Sequence, residues 1–151
     1  MIVRSAVGLA LACSAMLAQT PSAAPSEPTA PEVQRKAAQA FVDGKVGVWR
    51  ERLKLQDWRI SVVLTNDLPA RTLGAIHWDK TKKTATIWAL DPSGYSIPFP
   101  AILDDLELTV VHELVHLDLT SLPRGQASRG SEERAVGGIA GALLELDRRG
   151  R

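Results

Sequence analysis

Residues 106–117 read Leu-Glu-Leu-Thr-Val-Val-His-Glu-Leu-Val-His-Leu, and no other stretch narrows the fold as strongly. The segment is apolar on nearly every side, which predicts a buried helix. On a helix, residues four apart stand one above the other. His112 and His116 then present two imidazoles to one point. Burying them with Glu113 and no partner would cost several kcal/mol, and a metal ion removes that cost. Zinc accepts neutral imidazole nitrogen at about 2.0–2.1 Å in a tetrahedral shell. Glu113 follows the first histidine directly, so its carboxylate reaches the flank of the metal rather than its shell. That position suits a general base acting on an activated water. The rest of the chain must bring a third ligand and a substrate surface to this helix.

The chain has 151 residues, three histidines and one cysteine. Two histidines are already in the motif and the third is His77. The cysteine, Cys13, lies in a leader-like segment, so a disulfide framework and a Cys-ligated metal site are both excluded. A carboxylate is the expected third ligand. The net charge of +1 argues against a nucleic-acid binder, which would carry a basic surplus. The length suits one compact domain once the N-terminal segment is set aside.

Residues 1–20 read as a signal peptide. Arg4 supplies the positive start, an Ala- and Leu-rich apolar stretch follows, and small residues end it. Ala10-Leu11-Ala12-Cys13 also resembles a lipobox, which leaves a lipoprotein signal as the alternative. The expected location is therefore outside the cytoplasm, periplasmic or secreted, with a membrane partner only if Cys13 is lipidated. Residues 21–31 are rich in Pro, Ala and Ser and read as an extended linker. Residues 32–151 form the expected domain.

Within that domain an α+β fold is expected: an N-terminal helix, a small and mostly antiparallel sheet of about three strands, the motif helix and a last helix. Pro31 and Glu32 suit the first turn of a helix over 32–55, with Val46, Trp49 and Leu53 on its inner stripe. Residues 57–65 alternate as a half-buried strand. Residues 73–78 and 84–90 read as a hairpin across the polar turn 79–83. The strand 84–90 is a candidate edge over a cleft, able to pair with an extended peptide. A loop dense in Pro and Gly leads to the motif helix, which Asp104 and Asp105 are placed to start. After a basic loop, Ser131 is the expected cap of the last helix. Its inner stripe is expected at Val136, Ile139, Ala140, Leu143 and Leu146, with Gly137, Gly138 and Gly141 allowing a close approach to a neighbour.

The last helix should carry the third ligand. Glu132 and Glu133 both sit at the edge of its stripe, and rotation of 100° per residue slightly favours Glu132. Asp118 lies on roughly the opposite side of the motif helix and is discounted.

Here the sequence resembles a known group. Thr-Val-Val-His-Glu-Leu-Val-His-Leu at 109–117, followed by Glu-Glu-Arg-Ala-Val-Gly-Gly-Ile-Ala-Gly-Ala-Leu-Leu at 132–144, is similar to short gluzincins: the phage-type metallopeptidases and the ImmA/IrrE group. The resemblance covers the two C-terminal helices well and the sheet in outline. It implies one zinc ion held by His112, His116 and Glu133, a peptide or protein substrate, and hydrolysis with Glu113 as base. Two positions depart from the pattern. Asp118 stands where an apolar residue is usual. Gly137 stands where larger gluzincins carry an aspartate that supports a histidine ligand, which leaves the partner that orients the histidines unidentified. Tyr95 and His77 are candidate electrophilic helpers, although an anchoring role in loop and strand suits them better. The expected function is an exported zinc metallopeptidase. The alternative is a zinc-binding, non-catalytic interaction module on the same fold.

Overall fold

The computed structural model describes residues 29–122 and 129–150. The leader, Cys13, most of the linker and most of the basic loop lie outside the described residues. Three helices and a three-stranded sheet make an α+β domain. None of these helices is long and apolar enough to cross a membrane.

Helix α1 spans Ala30–Arg52. Glu32 accepts from the backbone N–H of Thr29 at 2.6 Å and from its hydroxyl at 2.8 Å, which ties down the first turn. Pro31 falls in that turn, where its missing N–H costs nothing. Val42, Val46 and Trp49 are buried along one face, as the helical spacing predicts.

Strands β1 (Arg59–Thr65), β2 (Gly74–Asp79) and β3 (Thr84–Leu90) follow. The expected hairpin is β2–β3, antiparallel, with Ile76 opposite Ile87. Asp79 Oδ1 accepts from the N–H groups of Thr81 and Lys82 at 2.9 and 3.0 Å and so shapes the turn. The sheet order is β1-β3-β2, with β1 parallel to β3. The sheet is thus mixed, and β3 is its centre rather than its edge. The candidate edge over the cleft moves to β2. Ala85, Ile87 and Ala89 of β3 are buried under the helices. Gly74, Ile76 and Trp78 share that face by register, which puts His77 on the outer, exposed face.

The two edges of the sheet differ. Arg35 Nη2 donates to the carbonyl of Leu64 at 3.0 Å and Gln39 Nε2 to that of Val62 at 3.1 Å. Side chains of α1 therefore occupy carbonyls of the outer strand β1. Among the described residues, β2 has no strand on its far side.

Helix α2 spans Phe99–Asp118, one turn earlier than Asp104 and Asp105 suggest. Pro98 and Pro100 lie at its start, where proline is tolerated. Asp104 and Asp105 are consequently inside the helix and not caps. Asp104 faces Arg148 Nη2 at 3.3 Å, and Asp105 accepts from Tyr95 O–H at 2.7 Å. A short 3-10 turn over Leu119–Ser121 ends the segment.

Helix α3 spans Arg129–Arg149, so Ser131 lies within the first turn and is not its cap. Val136, Ala140 and Leu144 are buried, whereas Ile139 and Leu146 are exposed. The stripe is narrower than expected because α3 packs chiefly on α2 alone, and one row at i, i+4 suffices. A Cβ at Gly137, Gly138 or Gly141 would meet nothing within 4 Å. Those glycines face outward and allow no close approach.

Candidate metal centre

The core places α2 so that one face looks into a cleft of about 810 Å³ bounded by β2 and the start of α3. Leu106, Val110, Leu114 and Leu117 are fully or almost fully buried on the opposite side, which fixes the rotation of the helix. His112, Glu113 and His116 then face the cleft. The sequence spacing carries this much of the site unaided.

His112 Nε2 and His116 Nε2 stand 3.1 Å apart, the rings meeting edge to face at 67°. Glu133 reaches both from α3: Oε2 lies 3.3 Å from His112 Nε2, and Oε1 lies 3.2 Å from His116 Nε2. Two imidazoles and one carboxylate thus converge, and the three residues can hold a metal ion. With both Nε2 lone pairs turned to the carboxylate, the three groups form a set of acceptors that a shared cation would satisfy. Burial, and then the proximity of His116, holds His112 below the ordinary imidazole range, with Glu133 opposing. The neutral ring is the form a metal ligand needs.

Glu132 occupies the place the sequence left empty. Its Oε1 lies 3.3 Å from His116 Nδ1. A proton on Nδ1 donated to this carboxylate leaves the Nε2 lone pair toward the cleft, the usual way a carboxylate fixes a ligand tautomer. Helix rotation pointed to Glu132 as the inward residue, and its side chain is 19% exposed against 61% for Glu133. Yet Glu133 is the one that meets the Nε2 atoms. Adjacent glutamates therefore approach one histidine from its two sides.

Glu113 is buried, and burial pushes its carboxyl up to about 7, with His116 opposing and Glu133 adding to the rise. Gly74 of β2 lies against it. A Cβ there would sit 2.3 Å from Thr109 Cγ2 and 3.2 Å from Glu113 Oε1, so only glycine lets the strand lie this close to the helix.

The remaining sequence candidates are elsewhere. Tyr95 is not on the cleft; its hydroxyl is engaged by Asp105, and burial together with that contact raises its pKa. His77 faces away, and Asp118 is exposed. Arg71, which sequence reasoning passed over, does line the cleft; its signal was a basic residue in the breaker-rich loop before β2.

No protein-family model, characterised protein or solved structure matches the chain.

Proposed function

We propose that the chain is a zinc-dependent peptidase. One observation carries this reading, the spacing of the three donor groups with Glu113 beside them. In a tetrahedral shell with bonds of about 2.0–2.1 Å, neighbouring ligand atoms stand about 3.3 Å apart. Here the two Nε2 atoms are 3.1 Å apart, and each lies 3.3 or 3.2 Å from a different oxygen of the Glu133 carboxylate, so the three side chains gather at about that spacing. Two imidazoles and one carboxylate suit zinc, and three protein ligands leave a further position, as catalytic sites do.

When bound, zinc supplies Lewis-acid polarisation of a carbonyl and lowers the pKa of a water to about 7. Glu113, beside the two histidines on the same cleft, is placed to take a proton from the attacking water. It then delivers that proton to the leaving amine nitrogen as the C–N bond breaks. Glu132 holds His116 in the tautomer that faces the cleft. The unpaired edge of β2 is suited to an extended peptide added antiparallel, its backbone groups bonding to the strand. The gluzincin resemblance of residues 109–117 and 132–144 supports the same assignment, and the leader-like N-terminus supports an exported setting.

The test is metal content and turnover together. Purified protein is expected to hold one zinc per chain by plasma emission spectrometry and to cleave a quenched-fluorescence peptide library. Glu113→Gln should keep the zinc and lose about 10²–10⁴-fold in rate. Absence of stoichiometric zinc would overturn the reading. Zinc without cleavage of any library member would leave the non-catalytic binding module instead.

A further inference from the structure

We infer that Arg71 selects substrates bearing a carboxylate on the leaving-group side of the scissile bond. The inference rests on the peptidase reading above. Arg71 lies in the segment between β1 and β2 and lines the cleft. The N–H of Thr72 donates to the carbonyl of Pro69 at 3.0 Å, which closes a four-residue turn. Arg71 holds the third place of that turn with a φ of 66°. Glycine or asparagine ordinarily occupies such a position. Arginine there is disfavoured by the local backbone, so its side chain is the part that needs a use.

Among the described residues lining the cleft, Arg71 is the sole arginine or lysine. It is exposed, and no hydrogen bond or ion pair holds it among the described residues. Of the acidic groups on the same cleft, Asp105 is engaged by Tyr95, Glu132 by His116 and Glu133 by both Nε2 atoms, while Glu113 is buried against Gly74. A guanidinium in this setting has a planar fork of donors that matches an incoming carboxylate.

The direction of the strand says which part of a peptide passes it. Gly74, at the start of β2, lies against Thr109 and Glu113. Lys80, just beyond β2, donates to the carbonyl of Thr120. The strand therefore runs the same way as α2, and Arg71 lies toward the N-terminal half of that helix. A peptide added antiparallel to β2 runs oppositely, so its C-terminal part passes Arg71. Leu73 and Leu108, 46% and 39% exposed, also line the cleft. They offer an apolar seat beside the guanidinium. The carboxylate can belong to an Asp or Glu side chain or to a free C-terminus.

The test uses the zinc-loaded full chain carrying Glu113→Gln, so that binding is read without turnover. The probes are fluorescein-labelled peptides sharing one apolar core. Each position C-terminal to that core carries Asp or Asn in turn, and each peptide is made as free acid and as amide. Fluorescence anisotropy should show the acidic form binding about tenfold or more tighter than its neutral match. Arg71→Gly, which suits the turn, and Arg71→Gln should both erase the difference while zinc stoichiometry stays at one. A preference in the Asp series assigns the side chain, and one in the free-acid series assigns the C-terminus. Equal binding of acidic and neutral peptides by the Arg71 protein overturns the inference alone, as does a preference that survives Arg71→Gly. No binding of any peptide overturns the peptidase reading and this inference with it.

Discussion

Glu132 and Glu133 are neighbours in the chain with different work. Glu133 meets the cleft-facing nitrogens of both histidines, and Glu132 meets the rear nitrogen of His116. Removing the rear contact should loosen the metal without removing a ligand. Glu132→Gln is expected to weaken zinc binding about 10–100-fold, read by competition with a chromogenic chelator. Sequence alone could name this pair but not divide it, because one residue of uncertainty in the start of α3 turns the wheel by 100°. The i, i+4 histidines carried no such ambiguity. Glu113 gives a second outcome. Its carboxyl sits at about 7 in the folded chain against an ordinary 4.5, so the metal-free folded state binds the proton more tightly than the unfolded state. Stability of the metal-free protein should therefore fall as pH rises through that window, and Glu113→Gln should flatten the slope in urea titrations. Gly74 gives a third. Gly74→Ala forces a Cβ against Thr109 and is expected to cost about 1–3 kcal/mol in urea unfolding.

At the scale of elements, α1 and α2 are joined by more than apolar packing. Glu107 is 5% exposed, and its Oε1 accepts from Lys45 Nζ at 2.7 Å and from Trp49 Nε1 at 3.0 Å. Lys45→Met would leave that carboxylate buried without its counter-charge and should cost about 3–5 kcal/mol. Adding Glu107→Gln keeps an acceptor for Trp49 and should recover most of the loss, which a double-mutant cycle on urea midpoints will measure. Helices and strands were legible from period and turns, whereas the caps expected at Asp104, Asp105 and Ser131 fall inside their helices. Their partners were less so. The hairpin could be read because its strands are consecutive, whereas the parallel β1–β3 pairing depends on where a distant strand inserts. The start of α2 hid behind Pro98 and Pro100, residues that signal a loop inside a helix but are well tolerated in its first turn. The stripe of α3 was overdrawn because Ile139 and Leu146 fit the period but stay exposed.

For the whole molecule, the ligand set spans two helices whose mutual packing is the main support of α3. A metal held by His112 and His116 from one helix and Glu133 from the other would clamp them together. Zinc at 100 times its dissociation constant should add about 2.7 kcal/mol of stability, seen as a rise in Tm that a chelator reverses. Glu133→Gln should shrink that rise and the accompanying slowing of amide exchange in α3.

The unequal edges of the sheet have a consequence for how copies of the chain can meet. With carbonyls of β1 taken by Arg35 and Gln39, β2 is the edge left to accept a strand. Two molecules pairing through their β2 edges would use up both and present no fresh β2 edge to a third. Further growth by edge-to-edge addition, the route by which open sheets build fibrils, would then have to use β1, where Arg35 and Gln39 hold two of the carbonyls.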